Sequence, residues 1–168
     1  QALSAEPVQC YGIPVKPITA RLIQRLQDRE EEEIEANDGR DLKEFMAFST
    51  RQDIRGSEGF WNPETNNYKD CYNKLRPSDV VCDIGAGDLR FDLIMAEKVK
   101  TVYAVEINPT ILSWALEIIN YHLPNNLFPI CGNGFTMDLP NVTVVTCLMI
   151  HRQHPLPQLP HLRVIAYS

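Results

Sequence analysis

The chain lacks most of the features that announce a function from a distance. Its five cysteines (Cys10, Cys71, Cys82, Cys131 and Cys147) form no C-x-x-C pair and no zinc-ligand spacing, so neither a disulfide framework nor a structural metal site is expected. No run approaches the roughly 20 apolar residues of a membrane span, and the N-terminus has no charged-then-apolar leader. Cations are in deficit: 16 Lys and Arg face 22 Asp and Glu, for a net charge of -6. A broad phosphate-binding surface needs clustered Lys and Arg, so nucleic acid is disfavoured as a partner. An odd number of thiols, three of them in or beside expected strands, points to a reducing compartment and a cytoplasmic protein with no membrane partner. What is present is ordinary: 168 residues, 44% hydrophobic and 23% charged, enough for one domain with a substantial core.

Along the chain, Gln1 to Lys16 carries Pro7 and Pro14 and no periodicity, and reads as an extended lead. Pro17 to Ala36 reads as a helix, with Pro17 suiting its first turn and Ile18, Leu22, Ile23 and Leu26 on one stripe. The acidic run Glu30 to Glu33 reads as its solvated face, and Asn37-Asp38-Gly39 as its stop. A short helix is expected over Asp41 to Phe48, then a loop from Ser49 to Asn67 holding Phe60 and Trp61, then a helix over Tyr68 to Leu75.

Beyond Pro77 the pattern alternates regularly. Strands are expected at Val80 to Ile84, Thr101 to Ile107, Leu127 to Cys131, Val142 to Met149 and Leu162 to Tyr167. Helices are expected at Leu89 to Val99 and Pro109 to His122. Near-continuous apolar strands suit a sheet covered on both faces. The expected fold is therefore α/β: a three-layer, Rossmann-like sandwich with a mainly parallel sheet and an N-terminal helical extension. Residues 1–76 would form the extension and a gating loop, and residues 77–168 the ligand-binding domain.

The most informative tract is Val80-Val81-Cys82-Asp83-Ile84-Gly85-Ala86-Gly87-Asp88, answered by Tyr103-Ala104-Val105-Glu106-Ile107-Asn108. It reads as strand, glycine turn, helix and a second strand ending in a carboxylate. Such a unit leaves a ligand crevice at the carboxyl ends of its strands. A dinucleotide turn would need G-x-G-x-x-G, but the third position is Arg90. Asp83 and Asp88 bracket the turn with negative charge, which repels a pyrophosphate and suits a ligand with a cationic part. S-adenosylmethionine is such a ligand. Each residue also has a plainer reading: Asp83 as a helix N-cap, Glu106 as an exposed strand-end carboxylate, Asn133 as a turn residue.

Asp83-Ile84-Gly85-Ala86-Gly87 resembles motif I (D/E-x-G-x-G) of the class I S-adenosylmethionine-dependent methyltransferases. Val105-Glu106-Ile107-Asn108 resembles their acidic second-strand end. Asp83 to Arg90 with Glu106-Ile107-Asn108-Pro109 is also similar to a lysine-methyltransferase branch reading D-x-G-S-G-D-G-R and E-x-N-P. The resemblance spans about Pro77 to Asn141 and departs at Leu89, where many members have a third glycine. It implies that Asp83, Gly85, Ala86 and Gly87 face the amino-acid part of the cofactor. It further implies that Glu106 holds the ribose, that Ile107 packs on the adenine, and that Asn133, with Gly134, meets the adenine edge. The family's sheet usually has seven strands, so with five expected here either the domain is minimal or C-terminal sequence is missing.

Family members that methylate base amines carry (Asp/Asn)-Pro-Pro-(Tyr/Phe) after the fourth strand. This chain instead has Leu148-Met149-Ile150-His151-Arg152-Gln153-His154. His151 and His154 read as exposed loop histidines or as general bases, and the catalytic residue stays unassigned. The expected function is S-adenosylmethionine-dependent methyl transfer to a protein lysine or small molecule rather than to nucleic acid. A non-catalytic S-adenosylmethionine-binding or protein-interaction module is the alternative.

Overall fold

The computed structural model describes residues 8–36, 65–148 and 161–167. Strands β1 (Val8–Cys10) and β2 (Ile13–Val15) pair antiparallel as a hairpin, where the sequence suggests only an extended lead. Its two turn residues, Tyr11 and Gly12, both have positive φ (53° and 79°), as a type I′ hairpin turn requires. A tyrosine is an uncommon choice there, which is why the turn is hard to read. Helix α1 (Pro17–Ala36) follows as its stripe predicts, with Leu22, Ile23 and Leu26 buried. Helix α2 (Thr65–Lys74) leads into the alternating part of the chain. The expected helix over Asp41 to Phe48, the stop at Asn37-Asp38-Gly39, and Phe60 and Trp61 lie outside the described residues.

Next come β3 (Val80–Ile84), α3 (Arg90–Ala96), β4 (Thr101–Glu106), α4 (Pro109–Ile119) and β5 (Leu127–Cys131). Two strands, β6 (Val144–Cys147) and β7 (Arg163–Ala166), complete the sheet. Short 3-10 turns cover Asn120–His122, where the sequence pattern extends the preceding helix, and Gly134–Thr136. The five strands are parallel in the order β5-β4-β3-β6-β7. The chain walks outward from β3 through β4 to β5, then returns to the other side of β3. That reversal, between β3 and β6, is the topological switch point where an open α/β sheet offers its crevice. The fold is α/β and Rossmann-like.

Alternation along the strands divides the interior in two. Val81, Val102, Ala104, Val144 and Ile165 share one cluster with residues of the hairpin, α1, α2, α3 and α4. Cys82, Ile84, Val105, Val145 and Cys147 point to the other face, against Phe135, Met137, Leu139, Val142 and Leu162. Among the described residues, this second face is covered by the irregular segment after β5 rather than by an α-helix. The N-terminal hairpin and α1 therefore belong to the same core as the sheet.

A buried ionic cluster joins that N-terminal part to the turn after β3. The Arg90 guanidinium donates to Asp88 through Nε (3.0 Å) and Nη2 (2.6 Å), and to Glu30 Oε1 through Nη2 (2.8 Å). All three side chains are at most 6% exposed. Tyr11 joins the cluster by accepting from Gln27 Nε2 at 2.6 Å and from Arg90. Glu30 is thus not part of a solvated face; burial pushes its carboxyl above the usual range, and the adjacent Arg90 opposes that rise. The planar fork of arginine fits a carboxylate with two parallel bonds, so it can satisfy acids from two elements at once. Replacing Arg90 leaves two buried acids without their cation. Arg90→Met is expected to cost about 3–5 kcal/mol in chemical denaturation, whereas Arg25→Met, at an exposed position of α1, is expected to cost about 1 kcal/mol or less.

Candidate functional site at the switch point

The turn leaving β3 is built by backbone geometry. Gly85 and Gly87 have φ of 78° and 63°, in the left-handed region that a side chain disfavours. Gly85 and Ala86 donate their N–H groups to the Val105 carbonyl at 2.9 and 3.0 Å, which holds the turn against β4. A Cβ added at Gly85 or Gly87 would meet nothing within 4 Å, so both glycines face open space. Conformation rather than crowding requires glycine here, and the result is a bare stretch of backbone at the lip of the crevice.

Glu106, at the end of β4, reaches across to this turn. Its Oε1 accepts from Gly87 N–H at 2.7 Å and its Oε2 from Asn108 N–H at 2.9 Å. The side chain is 8% exposed, so both bonds form in a partly dried environment where they are stronger. Asn108 in turn caps α4, its Oδ1 accepting from Thr110 and Ile111 N–H, with Pro109 in the first turn. Such a cap contributes about 1 kcal/mol. The Asn108 Nδ2 amide is buried without an acceptor. Between these two residues Ile107 is 49% exposed, an apolar surface beside the acid.

Asp83 and Glu106 lie on the same sheet face by strand alternation, but Asp83 is turned inward. It is 3% exposed and accepts from Thr146 Oγ1 at 2.7 Å. Beside it stands Asp92, fully buried on α3. No other side chain donates to the buried Asp92 oxygens, and a proton on Asp92 would bridge it to Asp83. Burial, reinforced by the neighbouring Asp83 charge, holds the Asp92 carboxyl well above the usual range. Asp88, the other acid bracketing the turn, is engaged by Arg90. The two aspartates thus have internal partners, and among the acids singled out from the sequence Glu106 is the one bound to the turn backbone itself.

The remaining sequence-derived residues fall at the end of β5. Asn133 is exposed, and its Oδ1 accepts from Phe135 N–H at 3.0 Å, capping the 3-10 turn. Its carbonyl therefore has a local role in the turn. Gly134 is a packing glycine, since a Cβ there would lie 2.8 Å from Ile84 Cγ1. His151, Arg152 and His154 lie outside the described residues. A cavity of about 730 Å³ sits on the other sheet face, lined by Val80, Cys82, Leu139, Val145 and Leu162, away from the glycine turn. Asp92, Thr146 and the capping role of Asn108 were not anticipated. The signal for Asp92 was a single acid inside the apolar run Phe91-Asp92-Leu93-Ile94-Met95.

Leu89 stands where the family pattern often has a third glycine, and it keeps the glycine conformation. Its φ is 74° and its side chain is fully buried. A left-handed non-glycine residue costs roughly 1–2 kcal/mol, which burial of the leucine offsets. Because of that backbone, Leu89→Gly is expected to be less destabilising than Leu89→Ala. The ordinary cost of a buried Leu→Ala change, about 2–5 kcal/mol, is reduced by about 1 kcal/mol in the glycine variant. Paired urea titrations check the order; alanine proving the milder change would mean that the left-handed conformation is not held in solution.

No protein-family model and no curated protein matches the chain. Solved structures do resemble it. One is M. jannaschii TYW2 in complex with AdoMet, at 28% identity and a TM-score of 0.46, covering 53% of this chain and 42% of that one. A dimethyladenosine transferase from Plasmodium falciparum matches at 23% identity and 0.45, covering 54% and 33%. Phosphoethanolamine N-methyltransferase 1 of Haemonchus contortus, solved with phosphoethanolamine and S-adenosylhomocysteine, matches at 24% and 0.41, covering 48% and 18%. The chain thus spans less than half the length of each of these proteins. The acceptor of this chain is open, nucleic acid included. In fold the chain is a Rossmann-like α/β domain, as the order of its own parallel strands shows.

Proposed function

We propose that residues 77–168 bind S-adenosylmethionine at the switch point and transfer its methyl group, with residues 1–76 as a supporting extension. The observation that carries this reading is the Glu106 carboxylate held to Gly87 N–H at 2.7 Å beside two open, left-handed glycines. An adenosyl ligand needs close backbone approach, an acceptor pair for the ribose diol and an apolar face for the base. Gly85, Ala86 and Gly87 supply the first, Glu106 the second and Ile107 the third. Asn133 and Gly134 flank the base, where the Asn133 side-chain amide is the group suited to a ring nitrogen. When bound, the cofactor supplies an electrophilic methyl group whose C–S bond breaks as an acceptor lone pair attacks in line. The protein's contribution is then mostly orientation and exclusion of water.

A protein lysine or a small molecule is the acceptor class we favour, on the similarity of Asp83 to Arg90 and Glu106 to Pro109 to the lysine-methyltransferase branch. A cytoplasmic setting fits the free thiols. No described helix is long and apolar enough to cross a membrane.

A second reading, a binding module without turnover, is favoured by one observation: the acids nearest the turn all have structural partners. Calorimetry with S-adenosylmethionine and S-adenosylhomocysteine, followed by a methyl-release assay over protein and small-molecule acceptors, separates the two. Binding with turnover supports the enzyme, binding without turnover the module, and no binding removes both. Glu106→Ala is expected to weaken cofactor affinity by about 1–3 kcal/mol through lost charge-assisted bonds. Unchanged affinity would move the ribose elsewhere.

A further inference from the structure

The carboxyl pair beneath the turn is costly as built. Asp83 and Asp92 are 3% and 0% exposed, and Thr146 donates a single hydroxyl to the pair at 2.7 Å. Two ionised carboxylates so placed would repel each other in a low dielectric with too few donors. One proton between them turns the repulsion into a hydrogen bond, as in other buried acid dyads. The groups facing the pair do not replace that proton. From α2 come Tyr68 and Cys71, from β6 Thr146, and along the chain Asp88, already engaged by Arg90, while the neighbouring Cys82 points to the opposite sheet face. Burial keeps the Tyr68 and Cys71 groups neutral.

We infer that Asp92 is a positioning residue that holds Asp83 through a shared proton, and that binding of a cationic adenosyl ligand at the turn expels this proton. The inference rests on the proposed cofactor reading. Asp83 lies two residues before Gly85, so a ligand ammonium or sulfonium above the turn favours the ionised form of the pair. Binding then releases up to one proton. Affinity rises with pH over the window in which the free protein is protonated and the complex is not, by up to roughly tenfold per pH unit.

Calorimetry of S-adenosylmethionine and S-adenosylhomocysteine across pH, in buffers of different ionisation enthalpy, measures the released proton. Wild type should release it. Asp92→Asn, which keeps a donor to Asp83 but carries no titrating proton, should bind near the wild-type maximum with a flat pH profile. Asp92→Val, which removes the donor, should bind at least several-fold more weakly at every pH while unfolding as cooperatively as wild type. A flat, buffer-independent affinity in wild type overturns the linkage and leaves the cofactor reading standing. No binding of either ligand removes both.

The unliganded protein gives a separate check. A protonated-carboxyl carbonyl stretch in the infrared at neutral pH, lost in Asp92→Asn, is expected; its absence in wild type removes the shared proton. The sign in stability follows. Asp92 is raised in the folded state, so between about pH 4 and its folded value the native protein holds more protons than the unfolded chain. Stability therefore falls as pH rises through this window, and Asp92→Asn should lose that slope.

Discussion

The Glu106 carboxylate is the joint on which the site depends. It accepts one N–H from the turn after β3 and one from the start of α4, so the loops leaving two adjacent strands are fixed to one side chain. Each loop alone is underdetermined. The glycine turn has left-handed freedom at Gly85 and Gly87, and α4 begins with a proline that supplies no N–H. An acid can fix both because it has two oxygens and backbone N–H groups are its natural partners. A ligand approaching Glu106 meets a carboxylate whose position is already set, which lowers the ordering cost of binding.

The same economy of charge appears behind the turn. Asp88, which sequence alone places as a negative flank for a cationic ligand, is held by Arg90 in a two-bond fork shared with Glu30. The turn is therefore braced from the side of the N-terminal hairpin and α1, which share its hydrophobic cluster. This makes the extension a structural partner of the site rather than an appendage. It also explains how Leu89 can tolerate a left-handed backbone: its side chain is packed in that cluster and cannot relax without opening it.

What the sequence disclosed follows from how each signal is generated. The β3 and β5 boundaries were legible because apolar strands bounded by turns carry their own punctuation, and the bounds agree residue for residue at Val80–Ile84 and Leu127–Cys131. The hairpin at Val8–Val15 was not, because its turn uses tyrosine in a conformation usually given to asparagine or glycine. Glu30 was indistinguishable from Glu31 and Glu32 in a run of like residues, since only tertiary contact with Arg90, sixty positions away, singles it out. Asp92 left a clear local trace, a lone acid among apolar neighbours, but its partner Asp83 sits on a different element. Pairings between elements leave no periodicity to read.

Three acids near one turn would be an electrostatic burden if all were alike, and the structure treats each differently. Asp88 is neutralised by a guanidinium, Asp83 by a proton held with Asp92, and Glu106 is held by backbone N–H dipoles. On the proposed reading, a ligand with hydroxyl donors and a cationic part is favoured beside these acids, whereas a polyphosphate is repelled by them. On the same reading, discrimination between these ligand classes would depend on how the buried acids are compensated, and not on their number in the sequence.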